Sequence, residues 1–323
     1  MMNTTDFPLC GGSKFFEGNP ITASEIATMK MNNTGTNYHV KFEPIGDTVM
    51  PIGFKFTLKN PMTAILFALP EQTRLVITID DVQIISIPFK LVKDCIKATV
   101  GNGIITYKFD LSPFMPAIPL IRQPNASIHL EVCDEHIISK INSIEVFCQY
   151  TYLDMEQRRN LAYSKDWNSK IMTIESVSAD VKDSIINFTV PANGICKGII
   201  MESEHVTSLN RLTVYFNDHV RWSYTPTDFP IVGQMLTPLH LYIPFNNSAP
   251  LYSRAVESFD GAVNIYEIYK VTLKLEVYYL PQQITMHSVI GKTLNIGDDC
   301  GHFKGHPICI NVKKHAETRE SRP

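Results

Sequence analysis

Long apolar runs are missing from this chain. The longest, Met62 to Pro70, is about half of what a membrane-crossing helix needs. The first residues, MMNTTDFPLCGG, carry neither a basic stretch nor an apolar core, so no secretory signal is read there. Cysteines are few, seven in all, odd in number and unclustered; this excludes a disulfide framework and points to free thiols in a reducing compartment. The N-x-S/T triplets at Asn3, Asn32, Asn125, Asn187 and Asn246 then read as chance products of an Asn-rich chain. Excess positive charge is missing too. With a net charge of −3 and a pI near 6.4, no global field draws nucleic acid or an anionic membrane, and direct nucleic-acid binding is not expected. Neither a phosphate-binding loop nor G-x-G-x-x-G, H-E-x-x-H or G-x-S-x-G is found, so the expectation is a protein that is not an enzyme and needs no cofactor.

What is present is a packed core and a strand pattern. Hydrophobic residues make up 44% and charged residues 19% of 323 residues, which excludes a disordered chain and suits two domains. Residues 1–37 are polar and read as an N-terminal arm. From Tyr38 onward, short β-branched and aromatic runs follow one another between turn residues, as in RLVITID, where Leu75, Ile77 and Ile79 alternate with Val76, Thr78 and Asp80. One segment, Asp154 to Met172, departs from this rhythm. Asp154 and Gln157 have the spacing of an N-cap and its capping-box partner, and Met155, Leu161, Ala162 and Trp167 supply a partly apolar face, so a linker helix is expected over 154–172. Strands resume at 173 and the pattern fades after Pro281, leaving 282–323 as a C-terminal tail.

The two halves are alike. Arg74-Leu75-x-Ile77-x-Ile79-x-Asp81 matches Arg211-Leu212-x-Val214-x-Phe216-x-Asp218. Pro113-Phe114 with Pro119-Leu120 matches Pro244-Phe245 with Pro250-Leu251, and IEVFCQYTYL ending at Leu153 is paired with LKLEVYYL ending at Leu280. Three matches in one order indicate an internal duplication. Each copy, 38–153 and 173–281, is about the size of an eight-stranded jelly roll. The fold class expected is therefore all-β: two tandem eight-stranded jelly rolls joined by a short linker helix.

FCQYTYLDMEQRRNLAYS, Phe147 to Ser164, resembles the strand-to-helix junction that ends the first jelly roll in major capsid proteins of nucleocytoplasmic large DNA viruses. The resemblance rests on Tyr150, Tyr152, Leu153, Asp154, Glu156, Arg158 and Arg159, with Gln157 intervening before the arginine pair. DLSPFMPAIPLIRQPNASIHLEV, Asp110 to Val132, looks like the same family's Pro-Phe and Pro-Leu elements before a strand. The resemblance covers 38–281 and implies a double jelly-roll capsid protein, a homotrimer forming pseudo-hexagonal capsomers of an icosahedral shell. Neighbouring capsomers, minor capsid proteins and an internal viral membrane layer are the implied partners, and the virion, assembled in host cytoplasm, the implied location. The strand connections here are shorter than the tower-forming loops of that family. The alternative function is a tandem β-sandwich binding module, such as a minor capsid, penton or adhesin/lectin-like component.

Few residues carry chemistry. Cys300-x-His302-x3-His306-x2-Cys309 brings four good zinc ligands together in a Gly-rich stretch, a candidate structural site with all four positions filled; the alternative is solvated side chains on a tail. Asp154, Glu156, Arg158 and Arg159 read as capping and ion-pair groups. Asp80-Asp81 and Asn217-Asp218 read as equivalent turns. Tyr215, Phe216, Trp222 and Tyr224 read as packing groups in preference to a ligand platform.

Overall fold

The computed structural model describes residues 23–61, 69, 73–93, 97–164, 166–190, 194–204, 209–225, 227–228, 234–237, 239–245, 262–265, 268, 270–297 and 309–313. The first half holds β1 (Ala23–Lys30), β2 (Asn32–Asn33), β3 (Asn37–Lys41), β4 (Thr48–Leu58), β5 (Arg74–Ile79), β6 (Val82–Pro88) and α1 (Phe89–Lys93). It continues with β7 (Lys97–Gly101), β8 (Ile104–Lys108), β9 (Ala126–Glu131), α2 (Glu135–Lys140) and β10 (Ile141–Tyr152). After α3 (Met155–Tyr163) come β11 (Asp166–Asp180), β12 (Ile185–Thr189), β13 (Ile195–Ser203), β14 (Leu209–Phe216), β15 (His219–Tyr224) and β16 (Gln234–Thr237). Then follow β17 (His240–Pro244), β18 (Val263–Asn264), β19 (Val271–Val277), β20 (Gln283–Gly297) and β21 (Cys309–Lys313).

These strands build two sandwiches. In the first, one sheet has the order β1-β10-β4-β8-β7 and the other β2-β3-β9-β5-β6; in the second, the orders are β11-β20-β13-β17-β16 and β12-β19-β14-β15. Nine strands of each half match. β11 stands where β1 does, β12 for β3, β13 for β4, β14 and β15 for β5 and β6, β16 and β17 for β7 and β8, and β19 and β20 for β9 and β10. Each half is thus an eight-stranded jelly roll with β7 or β16 added at one sheet edge, while β2, β18 and β21 have no counterpart in the other half.

Side-chain alternation explains why these segments pair as they do. Leu75, Ile77 and Ile79 of β5 are fully buried and lie opposite Leu130, Ile128 and Ala126 of β9. The hairpins leaving β5 and β14 turn on Asp80-Asp81 (φ 49° and 60°) and Asn217-Asp218 (φ 49° and 68°). Two successive left-handed residues are what a two-residue hairpin turn with the strands' own twist requires, and Asp and Asn tolerate that region best among non-glycines. A second duplicated feature lies in β4 and β13. A Cβ on Gly53 would sit 2.5 Å from the Tyr107 carbonyl oxygen, and one on Gly198 would sit 2.6 Å from that of Ile243. Both glycines occupy the same register position, opposite β10 and β8 in one copy and β20 and β17 in the other.

Several boundaries differ from those expected from sequence. The expected arm 1–37 contains β1, paired with β10 from Ala23↔Tyr152 to Lys30↔Glu145. It is an edge strand whose outer residues meet solvent, so its composition is polar and only Met29 is buried. The helix ends at Tyr163, not Met172: Ser164 caps it, and Trp167, Ser169, Ile171 and Thr173 alternate along one buried face of β11. The expected tail 282–323 contains β20, which lies between β11 and β13. His287, Ser288, Gly291, Lys292 and Asn295 interrupt its apolar residues and hide the strand. The third pairing of the duplication also shifts, because β10, which ends at Tyr152, corresponds to β20 and not to β19. Pro250 and Leu251 lie outside the described residues, and Pro244, the last residue of β17, lies opposite Gly198 as Lys108 lies opposite Gly53, so it corresponds to Lys108 and not to Pro113.

Candidate functional site: the seam between the sandwiches

The buried apolar side chains form two clusters, and their division is informative. Phe188, Leu212, Val214, Leu241, Leu273, Leu275, Met286 and their neighbours fill the second sandwich. The first sandwich's cluster, built around Phe54, Phe56, Phe89 and Phe114, continues without a break into Trp167, Ile171, Met172, Ile174, Ile200, Tyr242, Val289, Leu294 and Ile296 of the second. The outer face of the sheet holding β11, β20, β13 and β17 is therefore buried against the first sandwich. Core-like packing of this kind makes the two halves one rigid body.

Polar groups pin both ends of the seam. At one end, Arg74 of β5 donates from Nε to Ser86 Oγ (2.8 Å) and from Nη2 to the Ile174 carbonyl (3.1 Å). The Ser86 amide donates to Thr173 Oγ1 (3.2 Å), which in turn donates to the Ser86 carbonyl (3.2 Å), and the Met172 amide donates to the Phe114 carbonyl (2.6 Å). At the linker end, Arg122 is fully buried. Its guanidinium donates to the carbonyls of Leu161 (2.9 Å) and Ser164 (2.9 Å) at the C-terminus of α3, to the Ser164 hydroxyl, and to the Ile296 carbonyl of β20 (2.8 Å). One planar cation with five donors thus joins a loop of the first sandwich, the linker and a strand of the second. The helix C-terminus, with its partial negative charge, suits a cation there.

A third polar group straddles the seam. Ser176, His287, Ile200 and Tyr242 form one cross-strand row, and Ser178, Thr285, Glu202 and His240 the next, each running from an exposed serine on β11 into the covered face. Glu202 forms an ion pair with Lys90 of α1 in the first sandwich and accepts from His287 Nε2 (2.9 Å), while His240 Nε2 lies 3.8 Å away. His287 Nδ1 is 2.8 Å from Ser176 Oγ. Burial pushes the Glu202 pKa upward, but hydrogen bonds from His287 and Lys90 outweigh it and hold the carboxyl at about 2. Burial lowers both histidines, opposed by Glu202; His240 falls to about 4, helped by the positive charge of Lys90. At neutral pH Glu202 is a carboxylate and the two imidazoles are neutral.

The residues singled out from sequence take structural places. Asp154 caps α3 by accepting from the Gln157 amide (2.8 Å). Arg158 pairs with Asp47 (3.2 Å), and Asp47 also accepts from the Leu153 amide (2.9 Å), fixing the angle at which the helix leaves β10. Asp80 accepts from Gln123 Nε2 (2.9 Å) and Asn125 Nδ2 (3.0 Å), and Asn217 accepts from the Lys270 amide (3.0 Å), as turn residues do. Trp222 packs edge-on to Phe216 and stacks on Phe245, so these aromatics belong to the core. Cys300, His302 and His306 lie outside the described residues; Cys309 opens β21, and its side chain also lies outside them. Among the described residues, no group of three or more His, Cys, Asp or Glu side chains is arranged to hold a metal ion. Arg122, Lys90, Glu202 and His287 were not singled out from sequence. The only signal for Arg122 was a lone cation ending the apolar stretch Met115–Ile121.

The strand order and the single seam define a double jelly roll. No family model matches the sequence, and no curated protein matches it. Solved structures do. Vp54 of PBCV-1, a crystal structure fitted into a reconstruction of the virophage Sputnik, aligns with a TM-score of 0.61 at 11% identity, over 87% of this chain and 97% of that one. The Faustovirus major capsid protein aligns with a TM-score of 0.57 at 7% identity, over 91% of this chain and 92% of the other. The major capsid protein of STIV follows at 0.50 and 10% identity, over 83% and 96%. The chain thus has the fold of these viral capsid proteins over nearly their whole length.

Proposed function

We propose that this chain is a structural capsid protein whose trimers form pseudo-hexagonal capsomers of an icosahedral virus shell. The observation that carries the reading is the duplicated strand order locked by a buried seam. One chain is a rigid block with two like lobes, and three such blocks supply six lobes to a ring. The solved chains of the same fold are capsid proteins, which supports the reading. A near-neutral surface, at net −3, suits a shell that packs against its own copies and leaves the genome to other proteins. The virion is then its location and host cytoplasm its place of assembly, with minor capsid proteins and an internal membrane layer beneath the shell as further partners.

Light scattering on a size-exclusion column at low micromolar concentration tests this. The expected mass is three times 36.5 kDa, with six-lobed outlines in negative stain down the axis. A monomer that stays a monomer on concentration and in high salt would overturn the capsomer reading.

A further inference from the structure

Deepening the capsomer reading, on which the contact depends, we infer that the β14–β15 hairpin docks through Arg211 and Ser223 onto edge strand β1 of a second copy of this chain, at Ala27 and Thr28. This repeats between chains the seam that joins the sandwiches within one.

Two sets of register equivalences lead there. Within the chain, the hairpin of β5 and β6 presents Arg74 and Ser86 to β11, where Arg74 reaches the Ile174 carbonyl and Ser86 exchanges hydrogen bonds with Thr173. The hairpin of β14 and β15 keeps both side chains. Arg74 lies opposite Glu131, and Arg211 opposite Glu276; Val76 pairs with Ser86, and Thr213 with Ser223. The receiving strand is duplicated as well. Gly198 lies beside Val289 and Val289 beside Ile174, just as Gly53 lies beside Phe147 and Phe147 beside Thr28. Thr28 therefore stands for Ile174, and Ala27 for Thr173.

Each chain carries both halves of the contact twice and joins them once. The remaining donor half, Arg211 with Ser223, is exposed, as is Thr28 of the remaining acceptor half. β1 is an edge strand, as β11 is, and an edge offers main-chain groups to a partner. The seam is also heterologous, a hairpin on one side and a strand edge on the other. Contacts of that type generate rings when the rotation closes. Three chains then give six seams, alternately within and between chains.

The two receiving faces differ in a way that fits this alternation. In the second sandwich His287, Ile200 and Tyr242, of the row that begins at exposed Ser176, are covered as soon as the chain folds. The equivalent row in the first sandwich is Lys30, Glu145, Lys55, Thr106, with Lys55 and Glu145 paired at 3.0 Å. A charged face tolerates water while the chain is free, and a contact made after folding needs that tolerance; a contact that is never open does not.

Disulfide trapping tests the register. Ser86→Cys with Thr173→Cys is the positive control and closes a bond within the chain. Ala27→Cys with Ser223→Cys, oxidised in the full-length trimer, is expected to run as a covalently closed trimer on a non-reducing gel, because disulfides need Cα atoms within about 7 Å. Arg211→Glu is expected to raise the concentration at which trimers dissociate by about tenfold or more. Suppose the wild type is trimeric and the control closes, yet Ala27→Cys/Ser223→Cys gives no interchain bond. The contact is then overturned while the capsomer reading stands. A monomeric wild type overturns both.

Discussion

Replacing Arg122 with Met tests whether the seam holds the two sandwiches as one body. The side chain is fully buried and donates to three main-chain carbonyls on two separate elements, Leu161 and Ser164 on the linker and Ile296 on β20. Hydrogen bonds from a charged donor contribute about 1.5–3 kcal/mol each, but desolvating the guanidinium cancels part of that sum. Removing one side of such a buried arrangement typically costs about 3–5 kcal/mol, because the groups left behind lose their charged partner. At about 2.1 cal/mol/K of unfolding entropy per residue over 323 residues, a loss of about 4 kcal/mol lowers Tm by about 6 °C. Differential scanning calorimetry of Arg122→Met against wild type measures it. Arg122→Lys is expected to recover less than half of the loss, since a single ammonium cannot span both elements. A shift under about 2 °C for Arg122→Met would refute the view that this cation joins the lobes.

Acid should loosen the same seam. His240 is held at about 4, so below its ordinary value near 6.5 the unfolded chain takes up the proton first; stability present above pH 6.5 is lost progressively toward pH 4. With partial solvent screening the loss at pH 5 is about 1–2 kcal/mol, and Glu202, held at about 2, adds a further loss only below pH 4.5. His240→Gln should flatten the Tm profile between pH 6.5 and 5, and an unchanged slope would exclude this group as the source. Gly53→Ala and Gly198→Ala should each destabilise by about 2–3 kcal/mol in urea titrations, because the new methyl meets a strand carbonyl that cannot move aside. Truncation after Pro281 removes β20 from between β11 and β13, so the shortened chain should lose its cooperative melting transition; a folded, soluble product would contradict the strand order.

What could be read from sequence was what repeats locally. The turns at Asp80-Asp81 and Asn217-Asp218, the cap at Asp154 and the alternation of β5 and β14 all sit within a few residues of their signals, and the jelly-roll pair was legible from them. The edges and the seam were not. β1 is polar because its outer side meets water, and β20 is broken by His287, Ser288 and Asn295, whose partners are brought up by the rest of the fold. Glu202, His287 and Lys90 are 85 or more residues apart in their pairings, beyond any spacing rule. Gly53 and Gly198 mark the duplication more sharply than the apolar matches, yet only register reveals that they correspond.

The nine-residue helix α3 has a kinetic consequence. A short tether holds the second sandwich near the first at an effective concentration in the millimolar range, whatever the concentration of the protein. The internal seam therefore forms as a first-order event during folding. A six-lobed ring built from separate single jelly rolls would need six bodies to meet, with every contact competing against dilution. With lobes joined in pairs, three bodies suffice, and the order of assembly in protein concentration is halved.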